Sequence, residues 1–575
     1  MKKKKVRFLA ALLAATMITS LAGCGKSGED AEKDVEKATP DYVNETGRRI
    51  CDETITVTMT GRQGATKDWQ STDQIKQIKE QFGIDIQCKP ISNDAWETQR
   101  TLMFSSDTLP DIVVNAKMQI SDANKYGEQG YLLPINKYLD YMPNLKAIME
   151  KYPNYEKAIT APDGNIYGIT MVNSFDPPAP GQLNRVYINK TWLENVGMEA
   201  PETLDELYEV LKAFKEQDAN GNGDPNDEIP MMFNEEVYWY VQMSILDAYG
   251  IHSTQLDCSL SFDENEELFI GNLDEGYKEF LRYMNKLYSE GLIDVECFTL
   301  KQQDVESKAR ENLYGVIGTT SSPAITCGLG GEADFDWEII PTFTLNEGDE
   351  KVATIKQEQI ATTMNVLINA NTEYPEAICR LLDYFYSDEG TLSSTQGFEG
   401  TGVEFVEVPF LDGVETAQLL WNKEDGTYKN AGEFRQQFSV IEGAFKIYVD
   451  SWMKPEGIVR EADEETYEKL RSQDVATHVA NGFSGWMVFA EDYLRYEDFT
   501  FAKQVPPLVY SSEEASEVST LLTDLSTYFK VSRAQFITGE LDVDKDWDGY
   551  VEKANAMGAE RLLELQKATY ERMYK

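Results

Sequence analysis

The sequence predicts an α/β protein with more than one domain. Residues 54–60 alternate apolar and polar side chains and are rich in β-branched residues, which predicts a strand, and residues 84–88 predict a second strand. Apolar residues recur at helical spacing over 72–82, so the order is that of a βαβ unit, which pairs its strands in parallel. A chain of 575 residues holds two or three domains at roughly 100–200 residues each.

Further strands and helices alternate along the chain. Helix 204–214 is predicted by the capping box of Thr203 and Glu206, and helix 277–288 by an apolar face that stops at Gly291. The acidic run 542–548 is interpreted as the N-terminus of a helix over 549–569, where the helix dipole favours negative charge. Strands are predicted at 111–114, 166–170, 185–188, 229–233, 313–317, 337–340 and 364–368.

Composition excludes several classes of function. The formal net charge of −46 repels phosphate backbones, so nucleic-acid binding is not expected. Only two histidines are present, which leaves little material for zinc sites or imidazole bases. Six cysteines besides Cys24 are widely spaced; free thiols and disulfides both stay open, except that Cys51 and Cys88 would lie at opposite ends of parallel strands.

The N-terminus has the layout of an export signal. Lys2 to Lys5 precede a short apolar stretch, and residues 21–24 (LAGC) resemble the lipobox at which bacterial lipoproteins are acylated on cysteine. We therefore expect a signal peptide over 1–23, lipidation (palmitate) of Cys24, and a flexible tether over 24–50. The protein would then be exported and lipid-anchored to the outer face of the cell membrane.

Several short stretches, in order, resemble family 1 extracellular solute-binding proteins of the maltose-binding-protein type. The matching stretches are 109–114 (LPDIVV), 126–135 (YGEQGYLLPI), 163–168 (DGNIYG), 187–190 (YINK), 232–234 (MFN) and 375–390, which runs from PEA to SDEG. They cover roughly residues 51–400. The rest resembles the longer lipoprotein branch of that family, through 536–539 (FITG) and the segment 550–558.

This resemblance implies a two-lobe, periplasmic-binding-protein-like fold of type II. Its parallel-rich sheets would be flanked by helices, with a hinge between the lobes and the ligand in the cleft. We expect an N-terminal lobe of 51–183 and 360–415 and a C-terminal lobe of 184–359 and 416–575 with helical additions. The crossings would lie near 182–186, near 357–362 and somewhere in 400–430.

The resemblance also implies a function. The protein would capture an oligosaccharide or related glycan outside the cell, as a monomer, and deliver it to the membrane subunits of an ABC importer. It would not be an enzyme and would need no organic cofactor. The sequence does not reveal which sugar binds, or whether the ligand is a sugar.

A loop after helix 204–214 has calcium-binding chemistry. Oxygen-bearing side chains at positions 1, 3 and 5 and a glycine at 6 are typical of a calcium loop, with a backbone carbonyl at position 7. Position 12 is Ile229 instead of glutamate, so an acidic pair would replace that ligand. The predicted ligands of a structural Ca²⁺ are Asp218, Asn220, Asn222, Asp224, Asp227 and Glu228; the alternative is a polar turn that binds nothing.

The residues that would contact a sugar are predicted only from the resemblance, by matching loops of this sequence to ligand-binding loops of the family. Sugar sites pair aromatic rings with planar polar side chains, because sugars present flat C–H faces and edges of hydroxyls. A related protein would carry an aromatic residue where this chain has Thr320 to Ser322. The matched residues are Arg62, Gln63, Asp68, Trp69, Asn115, Lys117, Asn234, Glu236, Tyr238, Trp239, Thr320, Ser321, Ser322 and Glu399.

Three competing functions stay open. A glycan-active enzyme needs two carboxylates about 5–10 Å apart, and 99 acidic residues guarantee that some pair exists. However, the sequence has no G-x-S-x-G, H-E-x-x-H or G-x-G-x-x-G motif. A solute-sensing lipoprotein that serves a membrane receptor and a peptide-binding receptor are also compatible with the sequence.

Overall fold

Strands and helices alternate along the chain in this computed structural model. It describes residues 39–64, 68–174, 185–234, 239–319, 337–340, 342–354, 358–360, 363–407, 415–420, 459–460 and 499–575. The expected signal peptide, Cys24 and most of the expected tether lie outside these residues. By its contacts the chain divides into residues 1–41 and residues 42–575, and the described strands and helices belong to the second unit.

The strands are β1 Ile55–Arg62, β2 Ile84–Ile91, β3 Ile112–Val114, β4 Met118–Gln119, β5 Val172–Ser174, β6 Arg185–Asn189, β7 Ile229–Met231, β8 Leu260–Phe262, β9 Leu268–Ile270, β10 Tyr314–Thr319, β11 Trp337–Ile340, β12 Val352–Ala353, β13 Glu358–Ile360, β14 Thr363–Met364, β15 Leu367–Ile368, β16 Val403–Glu407, β17 Glu415–Leu419, β18 Val459–Arg460 and β19 Thr500–Phe501.

The α-helices are α1 Asp73–Gln77, α2 Asn93–Ser105, α3 Ile120–Glu128, α4 Pro143–Lys151, α5 Pro153–Ile159, α6 Lys190–Val196, α7 Leu204–Glu216, α8 Tyr240–Ala248, α9 Glu275–Ser289, α10 Gln302–Arg310, α11 Pro375–Tyr384, α12 Asp388–Gln396, α13 Ser512–Thr538, α14 Val543–Ala556 and α15 Ala559–Tyr574. A π-helix at Ile78–Phe82 continues α1, and short 3₁₀-helices lie at Ile135–Tyr141 and Gly271–Leu273.

Two four-stranded sheets organise the chain. The first has the order β15-β3-β1-β2, with β1 parallel to both neighbours and β15 antiparallel to β3. The second has the order β11-β6-β10-β7, with β10 parallel to β7 and β6 antiparallel to β10 and β11. The predicted α/β fold and the parallel βαβ unit at its start are therefore confirmed.

The first sheet packs on one buried apolar cluster, whereas the second sheet contributes to a large cluster and to a smaller one that includes Tyr187, Tyr314 and Trp337. The N-terminal core takes its side chains mainly from residues 43–172 and 364–398. The C-terminal core takes its side chains from residues 186–343 and from the C-terminal helices over 518–565. Both cores thus draw on stretches of sequence that lie far apart, as expected of two lobes that the chain crosses more than once.

The stretch before the first predicted crossing meets the second predicted crossing, near 357–362, in a short ribbon. Strand β5 pairs antiparallel with β13, with Ser174 opposite Glu358. The first predicted crossing at 182–186 lies outside the described residues up to 184, and most of the third, somewhere in 400–430, also lies outside them. The lobe boundaries stay a prediction.

Some predicted elements have other bounds. Residues 166–170 do not form a regular strand; Ile166 and Ile169 make isolated bridges to Thr160 and Val366. The predicted helix over 549–569 is wrong in its bounds, because it begins at Val543 and a second helix follows Gly558, whose φ of +104° is left-handed. Asp542 does cap the N-terminus, accepting N–H bonds from Asp544 and Lys545, so the interpretation of the acidic run as a helix start is supported.

The positions of Cys51 and Cys88 agree with the prediction that they lie at opposite ends of parallel strands. Cys51 precedes β1, whereas Cys88 lies in β2 opposite Met59, and both are free, as are Cys258 and Cys379. Cys327 lies outside the described residues.

Candidate functional site

The carboxyl ends of β1 and β3 bring two of the predicted ligand residues together. Gly61 lies opposite Val114 in the parallel pair, so Arg62 and Asn115 follow at the same edge of the sheet. The side-chain amide of Asn115 donates to the carbonyl oxygen of Arg62 at 2.9 Å, and Nε of Arg62 donates to Oδ1 of Asn93 at 3.1 Å. Open α/β sheets bind ligands at this edge.

The loop after β3 has a strained backbone. Asn115 and Lys117 have φ values of +48° and +47°, a left-handed conformation that costs an L-residue roughly 1–2 kcal/mol. Such conformations persist where the surrounding structure imposes them, and they cluster at binding sites. Asn115 is buried, and its Oδ1 atom has no hydrogen-bond partner, so a buried acceptor is available at this edge.

Helix α2 holds this loop in place. Nε1 of Trp96 donates to the carbonyl oxygen of Ala116 at 3.0 Å, and Nη1 of Arg100 donates to the carbonyl oxygens of Ala116 and Lys117, each at 2.9 Å. Neither Trp96 nor Arg100 was predicted from the sequence, because neither belongs to a motif. Their spacing of four residues on one helix face was the available signal.

The other predicted residues near β1 lie differently. Trp69 is only 1% exposed and belongs to the N-terminal core, so its ring offers no face to solvent. Asp68 is exposed, and its Oδ1 accepts an N–H bond from Ser71 at 3.4 Å. Gln63 follows β1, and its backbone N–H extends the pairing of β1 with β2 by donating to the carbonyl oxygen of Ile91.

At the second sheet the predicted residues are partly described. Asn234 is buried, and its side chain donates to the carbonyl oxygen of Leu300 at 2.9 Å, which fixes the chain after β7. Trp239 is half-buried, and its ring stacks on Tyr240 with centroids 6.0 Å apart. Glu399 is exposed, beside the start of β16. Glu236, Tyr238, Thr320, Ser321 and Ser322 lie outside the described residues.

Described cavities lie away from these residues. One of about 400 Å³ lies beside α10, one of about 420 Å³ beside α11, and one of about 390 Å³ beside the end of α15. Within the described part of the chain, none of the predicted sugar-binding residues lines them.

The predicted calcium loop folds around Asp227. The amides of Asn220 and Asn222 donate to its two carboxylate oxygens at 2.9 and 2.7 Å. Oδ2 of Asp218 accepts the N–H of Gly223 at 2.9 Å. The side chains of the loop thus converge, but no group of three or more His, Cys, Asp or Glu residues within the described ranges is arranged to hold a metal ion.

Three carboxylate oxygens beside this loop are buried without a hydrogen-bond partner of acceptable geometry: Oδ1 of Asp218 and both oxygens of Glu228. Burial raises the pKa of Glu228; backbone N–H groups lower it by less, and the charges of Asp227 and Asp218 raise it further. A buried carboxylate without a partner is costly. Because these oxygens are hard ligands, the donor set fits a Ca²⁺ ion.

Comparison with known proteins gives a family. A family model described as bacterial extracellular solute-binding protein matches residues 68–392. The fructooligosaccharide ABC transporter substrate-binding protein FusA of Streptococcus pneumoniae is 26% identical over 515 residues, which cover 86% of each chain. Lipoprotein LipO of Bacillus subtilis is 23% identical over 502 residues, covering 85% of this chain and 87% of LipO.

The fold is likewise shared with solved structures. An EF-hand mutant of FusA in complex with fructo-nystose superposes with a TM-score of 0.68 at 21% identity, over 90% of this chain and 99% of that one. Such a likeness shows a two-lobe solute-binding fold. Among the helices of the described residues, none has the length and apolar character that crossing a membrane requires.

Proposed function

The chain belongs to the family of bacterial extracellular solute-binding proteins, and on this premise we propose that it captures an oligosaccharide and delivers it to the membrane subunits of an ABC importer. The observation that carries the proposal is the similarity to FusA, a fructooligosaccharide-binding protein, over 86% of both chains. The edge formed by Arg62, Asn115 and Lys117 supports it, because the planar guanidinium and amide groups and the ammonium group can hydrogen-bond sugar hydroxyls.

Calorimetric titration against a panel of oligosaccharides tests the proposal. The panel contains fructooligosaccharides, galacturonan fragments and maltooligosaccharides, with a mixture of short peptides as the competing class. We expect saturable binding of at least one oligosaccharide and recovery of that oligosaccharide unchanged, since a binding protein does not cleave its ligand. Binding of peptides alone, or turnover of a glycan, would contradict the proposal.

We assign the ligand contacts to both lobes. The N-terminal contacts are Arg62, Gln63, Asp68, Asn115 and Lys117, and the C-terminal contacts are Asn234, Glu236, Tyr238, Trp239 and Thr320 to Ser322. Trp69 and Glu399 are assigned to neither set: the ring of Trp69 is buried in the core, and Glu399 lies at an isolated bridge to Val403. The two lobes would close over the ligand about the ribbon of β5 and β13, in a hinge motion.

The anchor rests on Cys24. The lipobox-like residues 21–24 and the likeness to a protein named lipoprotein LipO support acylation at this cysteine, which would hold the protein at the outer face of the cell membrane. Labelling of cells with an alkyne analogue of palmitate should mark the wild-type protein and leave the Cys24→Ala variant unmarked. Equal labelling of both would refute the anchor.

We further propose that the loop over 218–228 binds a structural Ca²⁺. Asp218, Asn220, Asn222, Asp227 and Glu228 would supply side-chain oxygens, and Asp224 its backbone carbonyl. The buried oxygens of Asp218 and Glu228 support this, as does the similarity to FusA, of which an EF-hand mutant has been solved. The ion would neutralise buried negative charge and stabilise the lobe, with no part in any chemical step.

A further inference from the structure

We propose that Trp96 and Arg100 are positioning residues for ligand binding: they hold the loop of residues 115–117 in the conformation that presents Asn115 to the ligand. The inference rests on the proposed oligosaccharide-binding function and deepens it by naming residues that support the site. Neither residue itself would contact the ligand. Both act through backbone carbonyls of the loop.

Two independent donors converge on one short segment. The carbonyl oxygen of Ala116 accepts from Nε1 of Trp96 at 3.0 Å and from Nη1 of Arg100 at 2.9 Å, and the same Nη1 atom reaches the carbonyl oxygen of Lys117 at 2.9 Å. Hydrogen bonds from a charged donor are roughly twice as strong as neutral ones. The loop therefore has its two carbonyl groups fixed toward α2.

The loop needs this support because its backbone is strained. Asn115 and Lys117 are both left-handed, with Ala116 between them, and Ala116 is fully buried. On the other side, the N–H of Ala116 donates to the carbonyl oxygen of Asn365 at 3.0 Å. Without the donors on α2, both residues would relax toward the ordinary φ < 0 region and the amide of Asn115 would turn away from the edge.

Both donors are themselves rigid. Trp96 is 1% exposed within the N-terminal core, and the side chain of Arg100 is 13% exposed, with Nη2 paired to Glu97. The loop of residues 115–117 is thus held by side chains that are themselves packed and hydrogen-bonded. Oδ1 of Asn115, buried and without a partner, is the acceptor whose direction this support sets.

The chain offers a matched control for the tryptophan. Trp192 is also fully buried, but its Nε1 atom has no hydrogen-bond partner. Trp96→Phe and Trp192→Phe therefore remove the same atoms and leave similar cavities, yet only the first breaks a hydrogen bond to the loop. For the arginine, Arg561→Ala removes an ion pair with Glu517 on the C-terminal helices.

The experiment measures the affinity of these variants for the oligosaccharide that the wild-type protein binds. We expect Trp96→Phe and Arg100→Ala to lose about tenfold or more in affinity, since the first loses one hydrogen bond to the strained loop and the second loses two. Trp192→Phe and Arg561→Ala should stay within about twofold of wild type. Dilute guanidinium chloride should restore part of the affinity of Arg100→Ala, and equal sodium chloride should not.

A second measurement needs no ligand. Amide hydrogen exchange of the segment 112–120 should be faster in Trp96→Phe and Arg100→Ala than in wild type, and unchanged in Trp192→Phe. Unchanged exchange, or equal affinities for Trp96→Phe and Trp192→Phe, would overturn the positioning role. If wild-type protein bound no oligosaccharide, the proposed function would fail, and the exchange rates would still decide whether α2 fixes the loop.

Discussion

Replacement of Glu228 by glutamine should have opposite effects on stability with and without calcium. In the absence of metal, the two carboxylate oxygens of Glu228 are buried and the nearby backbone N–H groups do not meet them with good hydrogen-bond geometry; an unsatisfied buried group costs about 1–3 kcal/mol. Glutamine removes the charge and with it the repulsion by Asp227 and Asp218, the two carboxylates that raise the pKa of Glu228. We therefore expect Glu228→Gln to raise the free energy of unfolding by about 1–3 kcal/mol in a chelator.

In calcium the order should reverse. Extracellular calcium modules bind with Kd values of about 10⁻⁴–10⁻³ M, so on the proposed site about 10 mM calcium should stabilise the wild-type protein by about 1.4–2.7 kcal/mol through linkage. Glu228→Gln loses a charged ligand and most of this gain. Thermal unfolding of both proteins, in chelator and in calcium, shows whether the order of their stabilities reverses. Asp548→Asn is the matched control, because it also removes one negative charge but lies exposed in the other acidic run.

The pH dependence of stability gives a second test of the same prediction. The pKa of Glu228 is raised in the folded, metal-free protein, so the folded state keeps a proton that the unfolded chain has already lost. Stability of the metal-free wild type should then fall as pH rises from the ordinary glutamate pKa through the raised one, and this fall should be absent in Glu228→Gln. If calcium and chelator give equal melting temperatures for wild type, the calcium loop is refuted.

Three further substitutions test the packing of the two cores. Burial raises the pKa of Asp383 to about 6, so the free energy of unfolding should fall by on the order of 3 kcal/mol between about pH 4 and 6, and urea unfolding of Asp383→Asn should lack this slope. Thr203→Ala should cost about 0.5–2 kcal/mol in the same assay, because it removes the side-chain oxygen that caps α7. Gly61→Ala should lower the melting temperature sharply, since its Cβ would lie 2.0 Å from the carbonyl oxygen of Val114; an unchanged value would contradict the close approach of β1 and β3.

The sequence predicted elements whose signals are local. The βαβ unit at 54–88 and the capped helix α7 depend on spacing and on a cap within a few residues, and both are confirmed. The strand predicted at 166–170 failed: Ile166 makes one isolated bridge to nearby Thr160, and Ile169 makes another to Val366, a distant partner that leaves no local pattern. Gly558 ended a helix that periodicity alone would continue.

In the candidate site, too, the sequence predicted the features that have a local signal and missed those that depend on tertiary packing. Asn115 and Lys117 could be placed after β3 from the order of motifs, but the supporting residues on α2 could not, because their role depends on where α2 packs. Trp69 has the residue type of a sugar-stacking ring. Only the tertiary structure shows that it fills the N-terminal core, where an added Cβ on Gly61 would approach it to 3.0 Å.

Backbone hydrogen bonds join the loop of residues 115–117 and its flanking strands to the segment 363–368. Strand β3, before the loop, pairs with β15, and strand β4, after it, pairs with β14. Between these pairs, the N–H of Ala116 donates to the carbonyl oxygen of Asn365. The segment 363–368 follows β13, one strand of the proposed hinge ribbon, so we expect a movement of that ribbon to reach the loop through these hydrogen bonds. On that expectation, a ligand that prefers one arrangement of the loop also prefers one position of the hinge, which is the differential affinity that closure requires.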